Sequence, residues 1–300
     1  DNSDGSESSA KVYFGKNKGN SQEWWIAGSQ KAGSVTLFAA SPLGENQEFD
    51  PSDGTKTYSA EWGCSYSGSA PSEVKASHYG ASALRTALKE LETSCFSTAE
   101  QALMQETTIY TNDTKNNCAY STTDKLYPAY AEYSGNYITV GENTPDNLNS
   151  GLRIEKGYWG SGIFWLRAPY GIYSDIALRA VSGSGSSSGV GYEFVSQELE
   201  VVPAFKLNLS SVLFASAAKT ASSETTNGTI ADDAAMALRL DGAGKTIGTV
   251  SYDAAAGKIA AQKAVGAAGT VSLVVQGSSK TSDWYYSVPV GEGTSVTKKQ

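Results

Sequence analysis

Residues 11–40, KVYFGKNKGNSQEWWIAGSQKAGSVTLFAA, decide the fold class because three strand patterns follow one another within them. Residues 11–16, 23–29 and 34–40 are each short, rich in aromatic or β-branched side chains, and bounded by Gly, Asn or Ser. Such runs are typical of antiparallel strands joined by tight turns. The chain is therefore predicted to begin its folded part with a β-sheet.

Two helices are predicted after these strands. Apolar residues recur at helical spacing on one face of residues 79–92: Ala81, Leu84, Leu88 and Leu91. Ser97 to Glu100 matches a capping box, which predicts that a second helix begins there. Further strands are predicted over residues 107–111, 162–168, 175–181, 190–195 and 199–209, whereas residues 41–78 and 112–157 are predicted to be irregular. Strands, then helices, then strands favour an α+β domain.

The composition changes after about residue 208, where Ala, Thr, Ser and Gly dominate. Short strand patterns recur there between turn signals, over residues 212–217, 236–240, 246–252, 258–263, 270–276 and 284–290. This spacing favours an immunoglobulin-like β-sandwich. The predicted organisation is a disordered leader (1–10), an α+β domain (11–208), the sandwich (209–292) and a polar tail (293–300).

The charge and the histidine content exclude several classes of function. The chain has 31 acidic and 23 basic residues, giving a net charge of −8. A nucleic-acid binder needs a basic face to neutralise phosphates, so no nucleic-acid partner is predicted. His78 is the only histidine, which excludes sites that need two imidazoles from one chain.

The chain is predicted to act outside the cell, at the cell surface or in the medium. It begins at Asp1 and lacks the apolar core of a signal peptide. It also lacks a run of about 18 or more apolar residues, so no membrane span is predicted. A mature bacterial protein whose signal peptide has been removed is the natural interpretation, and its 17 tyrosines with many uncharged polar residues suit an extracellular surface.

Cysteines and acidic loops leave alternatives open. The three cysteines, Cys64, Cys95 and Cys118, form either one disulfide plus one thiol or three thiols, and a nucleophilic thiol beside His78 is a further alternative. No cofactor is predicted. Calcium is the one metal alternative, because residues 112–117 and 142–147 are dense in Asn and Asp oxygens. Ordinary turn chemistry explains these loops as well.

Aromatic residues are the remaining functional signal, and they concentrate near two strand regions: Trp24, Trp25, Tyr158, Trp159, Phe164, Trp165, Tyr170 and Tyr173. Exposed aromatic faces can stack on sugar rings, although most of these side chains are expected in the core. Alternation places Trp24 and Trp25 on opposite faces of a strand, so one is expected to point outward. The candidate ligand-binding residues are Trp24, Trp25, Tyr158, Trp159, Trp165 and Arg167, with a structural role for Arg167 beside Trp165 as the alternative.

A set of short motifs over residues 11–209 resembles a domain family of unknown function in secreted and cell-surface proteins of Gram-positive gut bacteria. The motifs are Gly15 after Phe14, Trp24-Trp25, Ser82-x-Leu84-Arg85-x-x-Leu88, Phe96-Ser97-x-x-Glu100, Trp165-Leu166-Arg167-Ala168-Pro169 and Val202-Pro203-Ala204-Phe205. The family commonly has W-L-R-S-P and R-P-A-F in the last two. Ala168 and Val202 depart from that pattern. The segment is also similar to the C-type-lectin-like fold, and the resemblance implies no catalytic residues.

Three functions follow as hypotheses. The first is a non-catalytic adhesion module that binds a glycan or another surface polymer. The second is a hydrolase that acts on carbohydrate or peptidoglycan through two carboxylates, which requires a defined separation of the two acids in space. The third is a structural stalk or assembly unit. The sequence leaves the oligomeric state open.

Overall fold

The computed structural model describes residues 11–31, 33–112, 119–134, 137–139, 162–171, 173–181, 190–217, 222–223, 235–240, 248–264, 271–278, 283–290 and 295–297. The chain divides into an N-terminal unit, Lys11–Ser210, and a C-terminal unit that begins at Ser211. Both units are mostly β-structure. None of the described helices has the length and apolar character needed to cross a membrane.

The N-terminal unit carries two α-helices among many short strands. In chain order its elements are β1 (Lys11–Asn17), β2 (Asn20–Lys31), β3 (Ser34–Ala39), β4 (Gln47–Glu48), β5 (Thr55–Thr57), β6 (Ser65–Tyr66), β7 (Glu73–Lys75), α1 (Ala83–Ser94), α2 (Thr98–Gln101), β8 (Met104–Gln105), β9 (Thr107–Thr111), β10 (Tyr120–Asp124), β11 (Tyr127–Pro128), β12 (Glu132–Ser134), β13 (Tyr137–Thr139), β14 (Ile163–Pro169), β15 (Ile176–Val181), β16 (Val190–Phe194), β17 (Glu198–Leu199) and β18 (Pro203–Asn208).

The predicted three-strand opening is present, and it forms the centre of the main sheet. Strands β11, β18, β3, β2 and β1 are hydrogen-bonded neighbours in that order, all antiparallel, and β8 also pairs with β18. A smaller antiparallel sheet has the order β14-β15-β16. Residues 41–78 and 112–157 were predicted to be irregular, and within the part of these segments that the structure describes this is wrong where they form β4–β7 and β10–β13. Strands of two to five residues are too short to show a period.

The capping box that opens the second helix is confirmed. The Ser97 hydroxyl accepts from the Glu100 N–H, and the Glu100 carboxylate accepts from the Ser97 N–H at 2.8 Å. The other Glu100 oxygen accepts from the Gly15 N–H at 3.0 Å, which ties this turn to β1. Gly15 has φ +72°, and a Cβ there would lie 2.6 Å from the Phe96 ring. Glycine is therefore required at this position for both its backbone and its lack of a side chain.

Helix α1 buries Leu84 and Leu88, as predicted, and it also buries Arg85. The Arg85 Nε donates to Asp124 Oδ1 at 2.9 Å, and its Nη1 donates to the backbone oxygens of Trp62 and Gly80. An arginine can be buried at this position because a buried carboxylate and two carbonyls satisfy its donors. This pair links α1 to β10.

The C-terminal unit contains β19 (Val212–Ala217), β20 (Ser222–Ser223), β21 (Ala235–Leu240), β22 (Gly248–Asp253), β23 (Lys258–Lys263), β24 (Val271–Ser278), β25 (Asp283–Val290) and β26 (Ser295–Thr297). Two of its sheets have the orders β20-β25-β24 and β22-β23-β26. Ala261, Leu273 and Val290 form a buried apolar cluster between them. Within the segment predicted to be a polar tail, 293–300, residues 295–297 form β26, whose backbone pairs with β23. The leader predicted over 1–10 lies outside the described residues.

Candidate functional site

Both tryptophans of β2 are buried, so the expectation that one of them points outward is wrong. Trp24 is fully buried, and its ring meets the edge of Phe205 at 4.7 Å while its Nε1 donates to the Phe14 oxygen. Trp25 lies on the opposite face, directly across from Phe38, whose ring packs against Phe164. The sheet is covered on both faces, so neither ring is available for stacking on a ligand.

Trp165 and Arg167, the candidate residues of β14, are also buried. Trp165 Nε1 donates to the Gln47 oxygen at 2.8 Å. Arg167 donates to the backbone oxygens of Tyr110 and Pro128, and its guanidinium lies 4.5 Å from the Tyr130 ring centre. Arg167 therefore has the structural role that was the alternative, although the ring it stacks on is Tyr130 and not Trp165.

The remaining candidates, Tyr158 and Trp159, lie outside the described residues, as does most of the calcium candidate segment 112–117 and all of 142–147. The part of the chain that the structure describes contains no group of three or more His, Cys, Asp or Glu side chains placed to hold a metal ion.

The structure places a different set of aromatic side chains at the surface, which we call the aromatic surface: the half-buried Tyr170 and the exposed Tyr173, Tyr192 and Phe194. Tyr173, Tyr192 and Phe194 are each at least half exposed, with 52%, 50% and 52% of their surface accessible. The Tyr170 and Tyr192 rings stack at 4.1 Å with 18° between their planes, and the Tyr170 and Tyr173 rings are parallel within 4° at 6.2 Å. Stacked rings cover part of one another's faces, so this surface presents ring edges, phenolic hydroxyls and the outer faces of the stack as a partly apolar platform.

The register of the small sheet explains why these residues share a face. Tyr192 lies across from Leu178, and Phe194 lies across from Ile176, so each pair projects to the same side. Tyr170 follows β14 and donates its N–H to the Ile176 oxygen, which brings it to the end of the same row. Leu178 and Ile176 are buried. They therefore lie next to Tyr192 and Phe194 on the same face of the sheet.

The loop that carries Tyr173 is fixed at both ends by backbone hydrogen bonds. Besides the bond from Tyr170 to Ile176, the Ser77 N–H donates to the Ser174 oxygen at 3.0 Å, and the Val195 N–H donates to the Asp175 oxygen at 2.8 Å. A platform that is already held in place loses less conformational entropy when a ligand binds.

The charged residues of this sheet lie on its other side. Arg179 pairs with Gly191, one residue out of phase with Tyr192, and its Nε lies 4.0 Å from a Glu193 oxygen. The guanidinium extends over Gly191, where an added Cβ would lie 3.3 Å from its Cζ. The aromatic surface itself consists of uncharged side chains.

The described buried carboxylates are engaged in structural pairs. Asp50 contacts the Lys56 ammonium, and Asp124 contacts Arg85. Burial raises the pKa of the Glu92 and Glu200 carboxyls, and the Glu92 carboxylate accepts from the Leu126 N–H. A hydrolase would need one free carboxylate facing one protonated acid across a cleft, and Asp50 and Asp124 do not offer the free one.

Sequence reasoning included Tyr170 and Tyr173 among the clustered aromatics but missed Tyr192 and Phe194. The alternation of Val190, Tyr192 and Phe194 was the available signal, since period-two aromatics mark one face of a strand. Comparisons with protein-family models, with curated proteins and with solved structures return no significant match.

Proposed function

We propose that the N-terminal unit binds a neutral polysaccharide on the aromatic surface, and that the protein is a secreted or cell-surface bacterial adhesion module without catalysis. The observation that carries the proposal is the stack of Tyr173, Tyr170 and Tyr192, in which Tyr173 and Tyr192 are at least half exposed. The apolar face of a pyranose ring covers an aromatic ring with little loss of hydration elsewhere, and the phenols can exchange hydrogen bonds with sugar hydroxyls.

A neutral polymer is favoured over an anionic one for electrostatic reasons. The aromatic surface has no charged side chain, and the whole chain carries a net charge of −8. An anionic glycan would approach against this charge and would find no cation in the platform. Tyr173, Tyr192 and Phe194 are each at least half exposed, so an extended polymer can contact more than one of them.

Membership of the family of Gram-positive surface proteins that the sequence resembles is part of the same proposal, with an immunoglobulin-like C-terminal unit as a spacer or a second binding domain. The C-type-lectin-like fold of the N-terminal unit is part of the proposal.

The test is affinity electrophoresis of the full chain through gels that contain neutral or anionic polysaccharides. Retardation by a neutral polymer that is lost in Tyr192→Ala supports the proposal. Tyr252→Ala is the matched control, because Tyr252 is a tyrosine of the C-terminal unit with 59% exposure. Retardation only by anionic polymers, or equal retardation of both variants, would contradict it. Release of reducing ends would favour the hydrolase, and no retardation by any polymer would favour the stalk.

A further inference from the structure

The only histidine of the chain lies beside a free cysteine, which sequence spacing alone could not show. Cys64 Sγ lies 2.3 Å from the position that a Cβ on Gly80 would take, and the His78 Cε1 and Nδ1 atoms lie 2.9 and 3.3 Å from the same point. A side chain at Gly80 would separate them. The thiol and the Nδ1 edge of the imidazole therefore converge on the space that this glycine leaves.

His78 is held in this position by aromatic rings. It is 3% exposed, and its ring stacks on Tyr120 at 4.0 Å with 14° between the planes. Its Nε2 lies 3.0 Å from the Tyr66 hydroxyl, whereas its Nδ1 has no hydrogen-bond partner among the described residues. A buried ring nitrogen without a partner is costly, and it is expected to have a functional explanation.

Tyr66 lies beside both groups. Burial raises the pKa of the Cys64 thiol, and the Arg85 cation and the Tyr66 hydroxyl act in the opposite direction. The 3.0 Å contact between the Tyr66 hydroxyl and His78 Nε2 is compatible with the tautomer in which Nε2–H donates to the phenol. That tautomer leaves Nδ1 as an unprotonated base that faces Cys64.

Cys64 is accessible to a reagent. It is a free thiol of intermediate burial, next to Trp62 and the Arg85 guanidinium. Cys95 is also free, but it is buried, and its described polar neighbour is the Ser94 hydroxyl. The structure thus provides one thiol with a base and one without.

We propose that Cys64 is a nucleophilic thiol that exchanges with disulfides, with His78 as its general base. The Cys64 sulfur attacks one sulfur of a disulfide R–S–S–R′ while its proton passes to His78 Nδ1. The Cys64–S–S–R bond forms as the S–S bond of the disulfide breaks, and the leaving R′–S⁻ takes the proton from His78 to give R′–SH. One thiol and one disulfide react to give one mixed disulfide and one thiol, so no further oxidant is consumed.

The experiment measures the reaction of the full chain with 2,2′-dithiodipyridine, following the released thione by absorbance and the modified cysteine by peptide mass mapping. Modification is expected at Cys64 ahead of Cys95. Between pH 5 and 7 the rate at Cys64 is expected to change little, since the base that takes the proton is unprotonated throughout. A rate that instead rises tenfold per pH unit, as free thiolate formation requires, overturns the proposal.

Two variants sharpen this test. His78→Asn is expected to slow the reaction at pH 6 by ~10²-fold while leaving the rate at pH 10, where the thiolate forms unaided, nearly unchanged. Tyr66→Phe keeps the ring and removes the phenol that fixes the tautomer, so it is expected to slow the reaction at pH 6. Equal rates in either variant and the wild type at that pH overturn the proposal. If His78→Asn fails to fold, the pH dependence of the wild-type rate between pH 5 and 7 still tests the proposal.

Discussion

Acidification is expected to destabilise the N-terminal unit through His78. Burial against Tyr66 and Tyr120, and secondarily the nearby Arg85 and Lys56 cations, lower its pKa from 6.5 to about 4. Between about pH 4 and 6.5, His78 is therefore protonated in the unfolded chain and neutral in the folded chain. The stabilisation is present above pH 6.5 and is lost as the pH falls from 6.5 towards 4.

The magnitude follows from the two pKa values. At about 1.4 kcal/mol per pH unit, the loss between pH 7 and pH 5 is about 2 kcal/mol, and the full loss below pH 4 is about 3 kcal/mol. The polar groups near the ring are the Tyr66 phenol, the Cys64 thiol and the Arg85 and Lys56 cations.

The assay is urea unfolding of the full chain at pH 7 and pH 5, followed by tryptophan fluorescence, for the wild type and His78→Gln. Between pH 7 and pH 5, the free energy of unfolding is expected to fall by about 2 kcal/mol more in the wild type than in the variant. Both proteins contain Glu92 and Glu200, so the pH responses of these carboxyls cancel in the comparison. A single histidine also gives one imidazole signal in an NMR titration. Equal losses in both proteins, or an NMR pKa near 6.5, would refute the reasoning.

Two further predictions concern packing in the N-terminal unit. Asp124→Asn leaves the buried Arg85 charge without its carboxylate and is expected to lower the free energy of unfolding by about 3–5 kcal/mol. Glu23→Gln removes the more exposed ion pair with Lys11 and is expected to cost below about 1 kcal/mol. Equal urea midpoints for the two variants would contradict the first expectation. Gly15→Ala is expected to cost more than Gly19→Ala, since both glycines have positive φ but only Gly15 has neighbours within 4 Å of an added Cβ. Thermal melts in which Gly19→Ala is the less stable variant would show that the close approach is absent.

Local patterns in the sequence predicted much of the fold. The strands of residues 11–40, helix α1 and the capping box at Ser97 depend on neighbours within a few residues, so spacing and side-chain type were sufficient to identify them. The very short strands after β3 could not be predicted, because their pairing partners, such as β17 for β4, are far away in sequence.

The candidate site was harder to predict because exposure depends on distant elements. Phe96 and Phe205 cover Trp24, and Phe164 covers the face on which Trp25 lies. All three phenylalanines are far from β2 in the sequence. Alternation correctly separates the two tryptophans but does not say whether one face is solvated. The meeting of Cys64 with His78 likewise depends on the close packing that Gly80 allows.

The central claim for function is that the aromatic surface binds a neutral polysaccharide. Isothermal titration calorimetry tests it most directly, with the full chain and a neutral polysaccharide that retards it in gels. If a sugar ring covers about half of the accessible surface of Tyr192, roughly 40–80 Å², removal of the side chain costs about 1–2 kcal/mol. Tyr192→Ala is therefore expected to weaken binding by ~5–30-fold, with Tyr252→Ala equal to the wild type. Unchanged affinity in Tyr192→Ala would contradict the account.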